Sequence, residues 1–569
     1  MVSPDRRSHV SGALMKEDKV RNLRSRPRTS RFVLATSVLL AIVLVGCTPA
    51  APATTGPGSP GTPSAPPPTQ QPTASPSPGQ GAGQPPEIAI CLNADVTTLD
   101  TRVLTILNVR TILGNILDYP IQLANEGDDL VLKPHLVTSW ENIDPLTWRL
   151  QLRQGVSFHN GEPFNAEAFK FSIETQKNAT ATMTFYLGNI SEVRIIDEYT
   201  VDLITATPNP LTIPNLVQVY IYPPQYTQEV GEGFASSPVG TGPFKFVEWV
   251  QGDHVTLEAN DDYWDTETWP DGPPVDQVVF RFCPDVTTRL AMLQRGEVDL
   301  IDNVEPEQVP EIEANPNLKT QQERGFKRIY MQIHAVPGAA PPLDDVRVRR
   351  AINHAVDRDA ITQSLYRGLA VPYVGHTHEG LECRNTTLEE YAYDPDLARQ
   401  LLSEAGYPDG FTIDLFTTAG AFPKDRDMAQ AVAAQLAAVG ITANIVQLEF
   451  NDYSTRFRDG DLPGLSVARR TTNTGDPADQ FRFTIWRNAS FNYVPDPAYD
   501  QMFEATETVT DLAARCEMLK DVEAYIWNEM VPQVALFDLV DVFGLNADLN
   551  WIPVNRRENI DLRGLQNNP

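Results

Sequence analysis

At 569 residues the chain is too long for a single core, so two or three domains, or one large two-lobed body with appendages, are expected. Hydrophobic residues at 41% and charged residues at 21% exclude a wholly disordered or coiled-coil protein. The formal net charge is -29, although the first 31 residues hold a basic cluster that includes Arg6, Arg7, Lys16, Lys19 and Arg31; such an acidic surface repels phosphate backbones, and no nucleic-acid partner is expected.

The basic stretch is followed by fifteen uncharged residues, Phe32 to Gly46, and then Cys47. As a helix they would rise ~22 Å, short of a ~30 Å hydrocarbon core, so the length fits the apolar part of a signal peptide better than a permanent span. Leu44-Val45-Gly46-Cys47 resembles a bacterial lipobox, which implies a leader over 1–46 and a lipid-modified Cys47 as the mature N-terminus. Residues 48–86 contain thirteen prolines and no charge. Without large apolar side chains this stretch cannot offset its ordering entropy, and 47–86 reads as an anchored tether.

Ordinary composition begins at Glu87. The strand 279–282, a helix capped by Asp285 and ended by Gly296, and the strand 298–301 make one βαβ unit. Val348, Ala351, Ile352, Ala355 and Val356 mark an amphipathic helix; Asp394-Pro395 opens another, carrying Leu397, Leu401 and Leu402. A second βαβ unit runs from 411–415 through a helix with Met428, Val432, Leu436 and Val439 on one face to 441–445. Parallel strands joined by crossovers predict an α/β protein with two lobes separated in sequence.

Motifs for chemistry are absent: there is no phosphate loop, no dinucleotide fingerprint, no GxSxG elbow and no HExxH. No cofactor is expected and no enzyme activity. His376, His378 and Glu379 are the nearest approach to a metal site, but two imidazoles two residues apart lack a third ligand, and a solvated loop is the expectation. Setting Cys47 aside leaves Cys91, Cys283, Cys383 and Cys516, an even number in a chain bound for an oxidising compartment. Pairing of Cys91 with Cys283, and of Cys383 with Cys516, is open; Cys516, with Leu512, Leu519 and Ile526, also reads as a buried thiol on an apolar helix face.

Taken together, the blocks at 134–140, 152–161, 166–172, 238–246, 260–264, 293–299, 345–357, 393–398 and 404–410 resemble the family 5 extracellular solute-binding proteins of ABC importers, which serve oligopeptides, dipeptides, nickel and some oligosaccharides. The resemblance implies a two-lobed periplasmic-binding-protein fold (Venus flytrap, type II, large cluster) with an extra inserted domain. Lobe I would comprise 87–125, 220–327 and 536–569, the insertion 126–219 and lobe II 328–535, with a crossover near 327–332. It further implies a monomer lipid-anchored at the outer face of the cytoplasmic membrane, ABC permease subunits as partners, and a small-molecule or peptide ligand held between lobes. An extracellular hydrolase or a ligand sensor on the same fold are the alternatives.

The resemblance assigns ligand contact to Asn93, Asn303, Tyr330, Gln332, Arg469, Arg470, Thr472 and Asn473. Peptide-binding members resemble one another in an Asp four residues before the Pro of an Asp-Pro pair, where it neutralises an α-ammonium. Here that register, ending at Asp476-Pro477, puts Asn473 at the position. A neutral amide cannot neutralise a buried cation, so a free-amine peptide is disfavoured relative to a neutral, oxygen-rich or anionic solute.

Overall fold

The computed structural model describes residues 87–104, 106–338, 340–472, 474–484, 493–555 and 559–566. The leader, the tether, Cys47 and Asn473 lie outside the described residues. The described residues fall in one unit, Gly79–Pro569.

Chain order begins with β1 (Glu87–Leu92). Six strands then form two separate small sheets: β2 (Ile121–Glu126) pairs with β3 (Asp129–Pro134), while β4 (Val137–Asp144), β5 (Thr147–Leu152), β6 (Ile190–Asp197) and β7 (Thr200–Thr205) make a four-stranded sheet in the order β4-β5-β7-β6. The helix Ala166–Gln176 covers this sheet, capped by Asn165, whose side chain accepts from Glu167 and Ala168 N–H.

All other strands join one eleven-stranded sheet. These are β1 with β8 (Phe244–Val250), β9 (His254–Ala259), β10 (Gln277–Phe282), β11 (Leu300–Ile301), β12 (Leu318–Ile333), β13 (Ala370–Pro372), β14 (Phe411–Thr418), β15 (Ile441–Leu448), β16 (Gly464–Arg470) and β17 (Gln533–Asn546). The order is β15-β14-β16-β12-β17-β11-β1-β10-β9-β8, with β13 also pairing β17. Both βαβ units are present in different forms. β14 and β15 are parallel neighbours, whereas β1 inserts between β10 and β11, parallel to both. The second strand of the first unit is shorter than its apolar pattern suggests, only Leu300 and Ile301.

Two long strands carry the sheet from one hydrophobic core to the other. β12 pairs antiparallel with β17 along nearly its whole length, with irregularities between Arg324 and Arg328 and between Ile329 and Tyr330. On one side of these irregularities the sheet packs on Ile90, Leu92, Ile112, Phe244 and Phe280; on the other it packs on Ile352, Leu415, Val432, Val467 and Leu536. Helix caps hold where the sequence places them, at Asp285 and Asp394, and Asp345, which the sequence did not single out as a cap, likewise accepts a backbone N–H at the start of its helix.

Two disulfides are present: Cys91–Cys283, in a small apolar cluster with Leu290, Leu293 and Ile301, and Cys383–Cys516, in the second core. The reading of Cys516 as a free thiol is therefore corrected, and Leu512, taken with it as apolar face, is 48% exposed because it stands in the helix's first turn. The His376–Glu379 loop is also corrected: His376, Thr377 and His378 are buried. Glu523 accepts the Thr377 and Asn385 N–H groups at 2.6 and 2.9 Å, Arg328 donates to the His376 carbonyl at 2.6 Å, and Cys383–Cys516 ties the loop to the helix Leu512–Tyr525. Among the described residues no three His, Cys, Asp or Glu side chains group as a metal site, and no helix is long and apolar enough to cross a membrane.

Asp118 fastens the insertion to its neighbours. Fully buried, it accepts from His135 Nε2 at 3.0 Å, Trp264 Nε1 at 2.8 Å and Thr241 Oγ1 at 2.9 Å, and it pairs with Arg563 near the C-terminus. Burial alone would raise its carboxyl, but His135 and Arg563 override that and hold it well below the usual carboxylate range. Asp118→Ala should therefore remove one of the two carboxylates paired with Arg563, leaving Asp561, and take the acceptor from Trp264 and Thr241, destabilising the protein by about 3–5 kcal/mol, read as a lower urea midpoint.

Candidate functional site

β1 and β11 are parallel and β17 runs against β11, so β12, antiparallel to β17, points the same way as β1 and β11. β16 is antiparallel to β12 and parallel to β14. The C-terminal ends of β1 and β11 therefore face the C-terminal ends of β14 and β16 across the β12–β17 crossing. Ligands of open α/β sheets collect at such carboxyl ends. The contacts agree with the topology. Segment 303–306, after β11, lines a cavity of about 80 Å3 together with Pro423 and Lys424, after β14; beside it Lys424 reaches Glu307 at 2.6 Å.

Asn93 and Asn303 stand at the first pair of ends. The Asn93 N–H and Asn303 Nδ2 both donate to Asp302 Oδ2 at 3.4 Å, and Asn93 Oδ1 accepts from Asn108 Nδ2 at 3.2 Å. Asn303 adopts a left-handed φ of 47°, which Asn tolerates better than most residues. Burial raises the Asp302 carboxyl to about 6 against the pull of Arg289.

On the other side, register decides which side chains meet. Tyr330 lies opposite Ala468, Gln332 opposite Ser466 and Arg328 opposite Arg470, so Tyr330, Gln332 and Arg470 share a face. Arg469 pairs with Ile329, whose side chain lies in the helix-covered core, and so turns to the opposite face, where it is exposed at the strand end. Gln332 is buried, donating through Nε2 to the Pro532 carbonyl at 3.0 Å. Burial pushes the Tyr330 hydroxyl up to about 12, with Arg470 opposing. Thr472 is buried and its hydroxyl has no partner among the described residues. The same holds for the Tyr373 and Tyr493 hydroxyls, so the region offers several unsatisfied polar groups to a solute.

Sequence reasoning missed two cavities. The larger, about 370 Å3, lies where the small sheets meet Thr474–Pro477 and the start of the helix Leu512–Tyr525; it is lined by Leu123, Leu132, Trp140 and Ile213. The smaller, about 160 Å3, is lined by Arg110, Gln218 and Tyr186. Spacing could not reveal either, because each draws on segments far apart in sequence. Across the same junction Thr510 Oγ1 donates to Asn142 Oδ1 at 3.0 Å, and the Arg482 guanidinium lies 6.0 Å from the Phe185 ring.

Residues 131–492 match the profile described as bacterial extracellular solute-binding proteins, family 5 middle. The chain belongs to this family. It is 27% identical over 433 residues to heme-binding protein A of Haemophilus influenzae, covering 70% of this chain and 77% of that protein. To the dipeptide-binding protein of Escherichia coli it is 28% identical over 435 residues, covering 70% and 79%. In fold it resembles HbpA2 from Haemophilus parasuis, with a TM-score of 0.75 at 22% identity over 85% of this chain and all of that one. NikA from Brucella suis in complex with Fe(III)-EDTA gives a TM-score of 0.74 at 23% identity with the same coverage. The family 5 fold is thus the type II binding-protein architecture of mixed α/β sheets in two lobes.

His334 continues the Tyr330–Gln332 face; its Nε2 meets Ser466 Oγ at 2.9 Å and its ring lies 4.1 Å from Tyr493. Burial lowers it to about 3. An unfolded histidine takes its proton near pH 6.5, so between pH 6.5 and 3 the unfolded chain binds more protons and stability falls as pH falls. His334→Asn should flatten the pH dependence of the urea unfolding free energy in that window by up to one proton, or about 1.4 kcal/mol per pH unit.

Proposed function

We propose that this protein is the extracytoplasmic solute-binding component of an ABC importer, anchored through a lipid on Cys47 after removal of 1–46 and held on the 47–86 tether. It captures a small peptide-like or oligosaccharide-like solute between lobe I (87–125, 220–327, 536–569) with its insertion (126–219) and lobe II (328–535), and hands it to the permease. The observation that carries the reading is the opposition of the β1 and β11 ends to the β14 and β16 ends across one pair of crossing strands. Contacts made from both sides exist only when the lobes are together, so a solute that makes them shifts the population toward closure. Names among the relatives, heme-binding, dipeptide-binding and glutathione-binding, support a solute of that size.

Asn93, Asn303, Tyr330, Gln332, Arg469, Arg470, Thr472 and Asn473 remain the proposed contacts; Arg469 would reach a ligand only past the edge of its strand. With an amide at 473, unmodified di- and tripeptides should bind poorly, and Asn473→Asp should weaken the true solute by a few kcal/mol at most.

Mass spectrometry of small molecules released from the purified protein should identify the solute. Returned at a hundred times Kd, it should stabilise the protein by ~2.7 kcal/mol and reduce the radius of gyration in solution scattering. A retained solute that leaves the radius unchanged would overturn closure. Intact mass of membrane-extracted protein should show a diacylated Cys47, and Cys47→Ala should release the protein to the soluble fraction.

A further inference from the structure

Protein interiors leave few voids larger than a water molecule, so the cavity of about 370 Å3 between the small sheets and residues 474–477 is a feature to be explained. Register supplies one apolar wall. Leu123 lies opposite Leu132 in the β2–β3 hairpin, while Asn142 lies opposite Trp148 in the β4–β5 pair, which puts Trp140, Asn142 and Trp148 on one face. The facing wall is formed around Glu382, Gly475 and Leu512. Hydrogen bonds hold the two walls together: Leu130 N–H donates to the Gly380 carbonyl at 2.8 Å and Thr510 Oγ1 to Asn142 Oδ1 at 3.0 Å. Gly475, at a left-handed φ of 78°, approaches the hairpin so closely that a Cβ there would meet Leu123 Cδ1 at 3.0 Å. None of the proposed solute contacts among the described residues lines this cavity.

Its wall is electrically one-sided. Arg515 is already spent, with Nη1 and Nη2 donating to Asp476 at 2.5 and 3.0 Å and Nε to the Thr506 carbonyl at 3.3 Å. Glu141, Glu382 and Asp511 remain, with no other cation among the described residues of the wall. Burial and the like charge of Asp476 push the Glu382 carboxyl up, a penalty that a cation beside it would relieve. Indole faces attract the same charge. An apolar cavity of about 150 Å3 holds a benzene ring, so 370 Å3 has room for a ring and a short chain.

We propose that this cavity is a binding site, separate from the solute cleft, for an aromatic amine whose ring lies against Trp140, Trp148 and the leucine wall and whose ammonium meets Glu382. The site stands whichever solute the cleft takes. Its occupant touches both walls, and so stabilises the contact between the small sheets and the segments around Gly475 and Leu512.

The probe is 2-phenylethylamine, with 2-phenylethanol as its uncharged and 3-phenylpropionate as its anionic counterpart, titrated calorimetrically into the whole mature chain near neutral pH at constant ionic strength. The amine should bind saturably, ahead of the alcohol and further ahead of the acid. Glu382→Gln should weaken the amine about fivefold or more and leave the alcohol unchanged, whereas Glu174→Gln, an exposed carboxylate on another helix, should change neither. Tryptophan emission should change as the amine binds, and Trp140→Phe should reduce that change. The proposal would be overturned by equal affinity for acid and amine, by equal amine affinity in Glu382→Gln and the parent, or by an emission change that Trp140→Phe leaves intact. Displacement of the cleft's retained solute by the amine would likewise overturn it, since the probe would then occupy the cleft.

Discussion

The pairing of Arg328 with Asp538 is the constraint on which the two-lobed arrangement depends. It is a buried, bidentate contact at 2.8 and 3.1 Å, placed where β12 and β17 resume their ladder after the irregularity at Arg324 to Arg328. The guanidinium also lies 3.7 Å from the Tyr373 ring centroid and takes the His376 carbonyl. Burial would raise Asp538, yet Arg328 and His378 keep it far below the usual carboxylate range. Because side chains alternate along a strand, a one-residue slip here would turn Tyr330 and Gln332 into the helix-packed core and bring Ile329 and Met331 out. The charge pair thus fixes which side chains of the second half of the sheet share a face.

Local features were legible in the sequence because they are settled within a few residues. Asp285 and Asp394 cap helices, the 428–439 stripe is buried, and both crossover units connect parallel strands. What was not legible depends on distant partners. Nothing near His376 announces that Glu523 and Cys516, more than a hundred positions away, will bury its loop. The insertion of β1 between β10 and β11 likewise follows from tertiary pairing, which periodicity does not encode.

The same distinction runs through the candidate site. The resemblance brought Tyr330, Gln332 and Arg470 onto one list with Arg469, but only the register separates the two adjacent arginines by face. Asn93 and Asn303, more than two hundred positions apart, meet through Asp302.

The two disulfides carry a mechanical consequence. Cys91–Cys283 closes a loop spanning 192 positions on one side of the crossing, and Cys383–Cys516 closes one spanning 133 on the other; neither bond bridges the two sides. Tension applied through the chain ends would run across each cystine and bypass the residues inside the two closed loops, while β12 and β17, which lie outside both loops, would bear the load. Neither cystine therefore ties one side of the β12–β17 crossing to the other.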